Sequence, residues 1–336
     1  MQHQPLDVVA IGNAIVDVLA PADDDLLERY DLVKGIMRLC DEEFAHRLYG
    51  SMGPATERSG GSAANTMTGV ASFGGRAAFI GKVRDDQLGE VFGHDIRAAG
   101  VAFTNTPAAD GPSTARCLIL VTSDAQRTMN TFLGASVGLT PDDVDEELVA
   151  AATYSYLEGY LWDERTAKDA MLHVAEVSHR AGRKVSLTLS DPFCVDRHRA
   201  EFLSLLEGHV DVLFANEAEV VSLFEVDDFD QALHRVRERC EVAFLTRGVR
   251  GSVVATADDV HLVDAYPVPR LVDTTGAGDL YAAGALYGLT HGCDLDACGR
   301  LGSLAAAEVI SHMGARPERR LSGLAADAGL IGSAAQ

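Results

Sequence analysis

Positive charge is the scarcest property of this chain. Its 336 residues carry 28 Lys and Arg against 50 Asp and Glu, a formal net charge of −22. Only four of the basic residues are lysines: Lys34, Lys82, Lys168 and Lys184. A general nucleic-acid binder needs a basic face to neutralise phosphates, and an anionic membrane makes the same demand, so neither is expected as a partner. A small anionic ligand is still admitted, because a few arginines can make a local positive site on an acidic protein. Long hydrophobic runs are also missing. No stretch of about 18 apolar residues occurs, so no membrane span is expected. Met1-Gln2-His3-Gln4-Pro5 lacks a basic region leading into an apolar stretch, so no secretory signal is expected and the location is taken as cytoplasmic. The six cysteines form no C-x-x-C pair and have no His-rich tract beside them. They read as small buried hydrophobes in a reducing compartment.

What remains is ordinary globular material, 47% hydrophobic and 23% charged. At about 150 residues per domain, the length allows roughly two domains or one with an insertion. Short apolar runs alternate with amphipathic helical patterns. Strands are expected at Leu6–Ile11, Ala77–Ile80, Tyr154–Leu157, Lys184–Leu189, Asp211–Ala215 and Val242–Thr246. Helices are expected at Ser62–Phe73, Gln87–Ala99, Arg165–Ala181, Arg197–Leu206, Phe229–Arg239, Asp279–Leu289 and Leu295–His312. This alternation predicts an α/β fold with a mainly parallel sheet. Two stretches break the rhythm. Ala14–Arg47 carries one short strand, Ile36–Cys40, between acidic helical pieces. Gly111–Ala135 carries two β-rich runs, Ala115–Thr122 and Thr128–Leu133, around a polar turn. Together they could form a small sheet, either an idle edge hairpin or a lid over a ligand cleft.

The strongest motif is Asp273-Thr274-Thr275-Gly276-Ala277-Gly278-Asp279, between the strand-like Arg270-Leu271-Val272 and an apolar helix. Two glycines permit a tight turn with no Cβ in a ligand's way. The N–H groups of Gly276, Ala277 and Gly278 at a helix N-terminus make an anion site. A carboxylate beside it, Asp279, is electrostatically odd unless it handles a proton or a metal, and a hydroxyl attacking a phosphoryl group needs such a base. Competing motifs fail. Tyr281 occupies the third glycine position of G-x-G-x-x-G, and Gly75–Lys82 misses the Walker spacing and ends in Val83.

This motif resembles that of the ribokinase-like (PfkB-type) carbohydrate and nucleoside kinases. A second stretch supports the resemblance: Gly60-Gly61-Ser62-Ala63-Ala64-Asn65, followed by Phe73-Gly74-Gly75 and the run from Ile80 to Gly89. Within the family the chain looks most like the adenosine kinases, on Gly12–Asp17, Leu187–Phe193 and Asp211–Glu219. The resemblance implies a three-layer α/β/α domain (5–13, 48–110 and 136–330) with a small β lid (14–47 and 111–135). It implies ATP-dependent phosphorylation of the 5′-hydroxyl of adenosine, or else of another purine nucleoside or a sugar, by a monomer or homodimer. Asn13, Asp17, Gly60, Gly61 and Asn65 match the sugar site, and Ile15, Met37, Met129, Leu133, Leu161 and Phe193 roughly match the purine pocket. Asp279 matches the catalytic base, with the Gly276–Gly278 amides on the transferring phosphoryl and Arg127 as a lid arginine reaching the phosphate. Asn216 and Glu219 match an N-x-x-E element that organises Mg2+ through water, although alone the pair reads as a helix cap. Thr246, Arg247, Gly248 and Gly251 fit an ATP-phosphate turn, and Asp273, Thr275, His312 and Gly314 are candidates for a K+ site.

Overall fold

A computed structural model describes residues 5–124 and 126–332. The first four residues of the N-terminus weighed above lie outside the described residues, as does Ala125 in the polar turn. The strands are β1 (Leu6–Ile11), β2 (Ile15–Pro21), β3 (Met37–Leu39), β4 (Thr56–Gly60), β5 (Ala77–Ile80), β6 (Ala115–Val121), β7 (Arg127–Phe132), β8 (Ala152–Glu158), β9 (Lys184–Thr188), β10 (Val212–Asn216), β11 (Val242–Thr246), β12 (Ser252–Ala255) and β13 (Val260–Val263). The α-helices are α1 (Asp24–Arg29), α2 (Glu42–Tyr49), α3 (Ser62–Phe73), α4 (Gln87–Ala98), α5 (Glu146–Ala151), α6 (Arg165–Arg180), α7 (Pro192–Gly208), α8 (Glu217–Phe224), α9 (Phe229–Val236), α10 (Ala277–Thr290), α11 (Leu295–Val309) and α12 (Leu321–Asp327).

Eight strands form the main sheet in the order β13-β12-β11-β10-β9-β8-β1-β5. It is parallel from β11 through β5, and β12 and β13 add antiparallel at one edge. Successive side chains on a strand point to opposite faces. Val8 and Ala10 therefore enter one core with α3, α10 and α11, while Val9 and Ile11 enter the other with α6 and α7. Phe214 and Phe244 belong to the first core, Leu213 and Leu245 to the second. A sheet buried on both faces between helices is the three-layer arrangement expected of continuous apolar strands. No described helix is long and apolar enough to cross a membrane.

The five other strands form a smaller sheet, β3-β7-β6-β2-β4. The pleat decides its role. Val16, Val18, Leu118 and Leu120 face a core, whereas Ile15, Asp17, Cys117, Met129, Thr131, Met37 and Leu39 face a cavity. The register places Asp17 against Cys117, Cys117 against Thr131, and Met37 against Met129.

Several expectations need correction. Thr56–Gly60, which fell within the large domain in the resemblance, pairs with β2 and belongs to the smaller sheet. Strand β2 was not expected: Asp17 breaks the apolar run, although Val16, Val18 and Ala20 keep the buried alternation. Arg270-Leu271-Val272 is not a strand: Val272 N–H reaches only the Ile310 carbonyl, and Leu271 is 62% exposed. α7 begins at Pro192, capped by Asp191, and is kinked at His198 (φ −122°, ψ 17°), so the helix expected over Arg197–Leu206 corresponds to its second part. β12 and β13 were not among the expected strands.

The acid excess has a structural address. Asp23, Asp41, Asp86, Asp191, Asp228 and Asp294 are N-caps whose carboxylates accept backbone N–H bonds. Negative charge is favourable at a helix N-terminus. Asp86 also accepts from Thr114 N–H at 2.9 Å and Thr114 Oγ1 at 2.6 Å, tying the approach to β6 onto α4. Asp86→Ala is expected to cost about 1–3 kcal/mol of unfolding free energy in urea, against about 1 for the simpler cap Asp228→Ala. Equal losses would show that the Thr114 bonds contribute nothing.

Candidate active site

The C-terminal ends of the parallel strands meet beneath the smaller sheet around a cavity of about 1020 Å3. Strand order reverses between β1 and β8: β1 pairs with β5 on one side and β8 on the other. Such a switch point opens a crevice where ligands bind. Here the crevice holds Asn13 just beyond β1 and Glu158 at the end of β8.

Asp279 lies in the first turn of α10. Its Oδ1 accepts from Ser62 Oγ at 2.7 Å, and its Oδ2 from Asn65 Nδ2 at 3.1 Å. Ser62 and Asn65 stand in the first turn of α3. The carboxylate keeps some surface open to the cavity but is surrounded by protein. Burial raises its pKa, and the two hydrogen bonds oppose the shift. Before it, Gly276 has φ +79°, and a Cβ there would lie 2.8 Å from Ala315. Ala277 N–H donates to the Thr274 carbonyl within the turn, so it is not free for an anion as the motif suggested. The N–H groups of Gly276 and Gly278 find no carbonyl among the described residues. A dipole-positive helix end with free amides remains.

Asp17 faces the same cavity from β2 with no side-chain hydrogen bond of its own. Burial raises its pKa to about 6, with Arg316 and Arg127 lowering it and Asp279 raising it. An unengaged carboxylate there can accept from sugar hydroxyls. Asn13 is engaged: its Nδ2 donates to Glu158 Oε1 at 2.7 Å, and its Oδ1 accepts from Ser136 Oγ at 2.9 Å. Asn65 likewise accepts from Arg316 Nε at 3.2 Å while donating to Asp279, so it orients the Asp279 carboxylate. The glycine pair serves the protein's own atoms. A Cβ on Gly60 would meet the Asp17 carboxylate at 2.4 Å, and one on Gly61 the Asn13 carbonyl at 2.2 Å. Gly61 lines the cavity and Gly60 does not.

Ile15, Met37, Met129, Leu133 and Phe193 all line the cavity, but Leu161 is 1% exposed and does not, and Tyr160 lines it instead. Thr246 and Gly248 line the cavity, whereas Arg247 packs 4.0 Å over the Phe229 ring and pairs with Glu217 at 3.4 Å. Gly251 is a turn residue whose Cβ would strike the Val263 carbonyl at 2.0 Å. Asn216 and Glu219 line the cavity and form a complete capping box at the start of α8. Arg127 does not line the cavity. It binds Asp273 and, at 2.9 Å, Thr275 Oγ1. His312 turns away to Glu308 at 3.2 Å.

Ser62, Glu158 and Arg316 had not been marked. Ser62 follows the glycine pair, and Glu158 is a lone acid closing an apolar strand; either position could have flagged them. Arg316 sits in a loop far along the chain, and nothing local marks it.

Free amides for an anion, a buried acid between them and a hydroxyl-accepting carboxylate define a phosphotransferase that acts on a hydroxyl group. The chain belongs to the pfkB family of carbohydrate kinases, whose family model matches residues 41–320. It is 51% identical to the adenosine kinase from Sinorhizobium meliloti, matching that structure with a TM-score of 0.89 over 96% of this chain and 99% of the other. It is 49% identical to a probable sugar kinase protein from Rhizobium etli CFN 42, with a TM-score of 0.91 over 98% and 100%. The adenosine kinase of Saccharomyces cerevisiae is 27% identical over 94% of this chain and 98% of the relative.

Glu158 accepts from Asn13 and Ala63 and is 1% exposed; burial outweighs these bonds and raises its pKa to about 7. The fold thus binds a proton that the unfolded chain releases near pH 4.5. Stability from this group is full below that pH and is lost as pH rises through 7. On the order of 3 kcal/mol is at stake. Unfolding free energies of the wild type and Glu158→Gln, measured between pH 5 and 8, are expected to diverge, with the wild type falling relative to the variant as pH rises. Parallel curves would refute the shift.

Proposed function

We propose that this protein is an adenosine kinase, transferring the γ-phosphoryl group of ATP to the 5′-hydroxyl of adenosine to give AMP and ADP in purine salvage. The observation that carries the reading is the position of Asp279, fixed by Ser62 and Asn65 between the free amides of Gly276 and Gly278 and the open carboxylate of Asp17. The likeness to the Sinorhizobium meliloti enzyme supports adenosine as the acceptor. The apolar lining given by Ile15, Met37, Met129 and Leu133 suits a purine face, which a sugar alone would leave unused.

In this reading Asp17 accepts from ribose hydroxyls and sets the 5′-oxygen against Asp279. Asp279 takes the 5′-hydroxyl proton as the oxygen bonds to the γ-phosphorus. The bond from that phosphorus to the β–γ bridging oxygen breaks, and ADP leaves with the electron pair. The Gly276 and Gly278 amides stabilise charge on the phosphoryl oxygens, a term typically worth ~10²–10³ in rate per donor.

Asn216 and Glu219 fit Mg2+ held through water. Glu219 is 5% exposed, burial raises its pKa to about 7, and Asp191 adds to that rise. A buried carboxylate with an acidic neighbour on a cavity wall calls for a cation, and oxygen donors suit Mg2+. Bound there, the ion would neutralise phosphate charge. Within that site Glu219 also holds the Asn216 N–H, fixing the end of β10.

The likeness to a probable sugar kinase protein supports a second reading, in which a free sugar is the acceptor. ADP formation on adenosine, other purine nucleosides and ribose separates the two. The highest kcat/KM is expected for adenosine; turnover of ribose alone would establish the sugar kinase. Asp279→Asn is expected to lose ~10²–10⁴ in kcat with an unchanged melting temperature. Because the Asp279 pKa is raised, the wild-type kcat/KM should decline as pH drops through a value above the ordinary aspartate range. An acid limb near pH 4 or below would contradict that.

A further inference from the structure

We propose that the Arg127 guanidinium holds the place of a monovalent cation beside the anion turn, so that phosphoryl transfer by this protein does not require K+. This rests on the kinase reading above. A K+ ion at Asp273 would need free oxygen lone pairs, and a carboxylate offers about four. All four have protein donors. Asp273 Oδ1 accepts from Thr275 N–H at 3.1 Å and Thr275 Oγ1 at 2.8 Å. Asp273 Oδ2 accepts from Gly314 N–H at 2.9 Å and from Arg127 Nη1. Of the other candidates, Thr275 Oγ1 is taken up between Arg127 and Asp273, Gly314 meets Asp273 through its N–H, and His312 is engaged with Glu308, whose other oxygen accepts from the Glu318 and Arg319 N–H groups. The side-chain donors that a dissociable K+ ion would need here are therefore all engaged within the protein.

A fixed charge takes the position instead. The Arg127 and Asp273 side chains are only 10% and 5% exposed, so the pair is shielded from bulk salt. The same Nη1 donates to Thr275 Oγ1 at 2.9 Å, one residue before Gly276. Arg127 opens β7 of the smaller sheet, so this contact also joins that sheet to the phosphate turn. A guanidinium cannot be deprotonated or washed out, so its charge is present in every salt. Removing it would leave the Asp273 carboxylate buried beside one free lone pair, a vacancy that a small cation could enter.

The test exchanges K+ for Na+ or choline at equal ionic strength. Wild-type kcat/KM for ADP formation is expected to stay within about twofold across the three salts. Arg127→Met is expected to lose about tenfold or more in choline and to recover part of that in K+ or in millimolar guanidinium. Melting temperatures in the same salts need no acceptor, and so read the site even if adenosine is not the substrate. Wild type should melt alike in K+ and choline, and Arg127→Met should melt higher in K+. A wild-type rate that collapses in choline, or a wild-type melting temperature that K+ alone raises, would overturn the proposal. If the variant does not fold, the wild-type salt series decides by itself.

Discussion

Everything at the active site depends on two helix N-termini being held against each other. Ser62 and Asn65 in the first turn of α3 grip Asp279 in the first turn of α10, across more than 200 residues of sequence. That grip needs a close approach of the two helices. Gly69 provides it, since a Cβ there would lie 2.5 Å from the Ala283 Cβ and 2.7 Å from Leu280. Small residues at the crossing set the distance, and the distance places Asp279. The glycine turn with its free amides and the cavity-facing Asp17 carboxylate are then arranged around a group already fixed in place, which is what preorganised electrostatics requires.

Charge follows the same economy of placement. A chain with net charge −22 still concentrates cations at its reaction centre. Arg316 reaches Asn65 and Asp95, and Arg127 reaches Asp273 and Thr275. Both lower the pKa of Asp17. Many of the acids sit at helix N-termini, where backbone dipoles compensate them. Four carboxylates around the cavity, Asp17, Glu158, Glu219 and Asp279, are instead held above their ordinary range by burial.

The residue pattern by itself determined the α/β class, most of the strands and helices of the main sheet, the glycine turn before α10 and Asp279 as its acid. These are legible because they rest on local rules: apolar periodicity, capping chemistry, and glycine where φ must be positive or a Cβ has no room. The apolar wall of Ile15, Met37, Met129, Leu133 and Phe193 was named through resemblance, and these residues do share one cavity. Only the tertiary structure decided which polar side chains are free and which are already engaged. Asn13 and Asn65 hold other protein groups, Asp17 stays open, and Arg127 binds a carboxylate outside the cavity lining. Arg316 had no local mark, and the partners of Glu158 could not be read locally, because in both cases the partners lie more than 90 residues away in sequence. A hydrogen bond between distant residues leaves no period or spacing in the chain. It exists only once the sheet order and the helix crossing have brought donor and acceptor together.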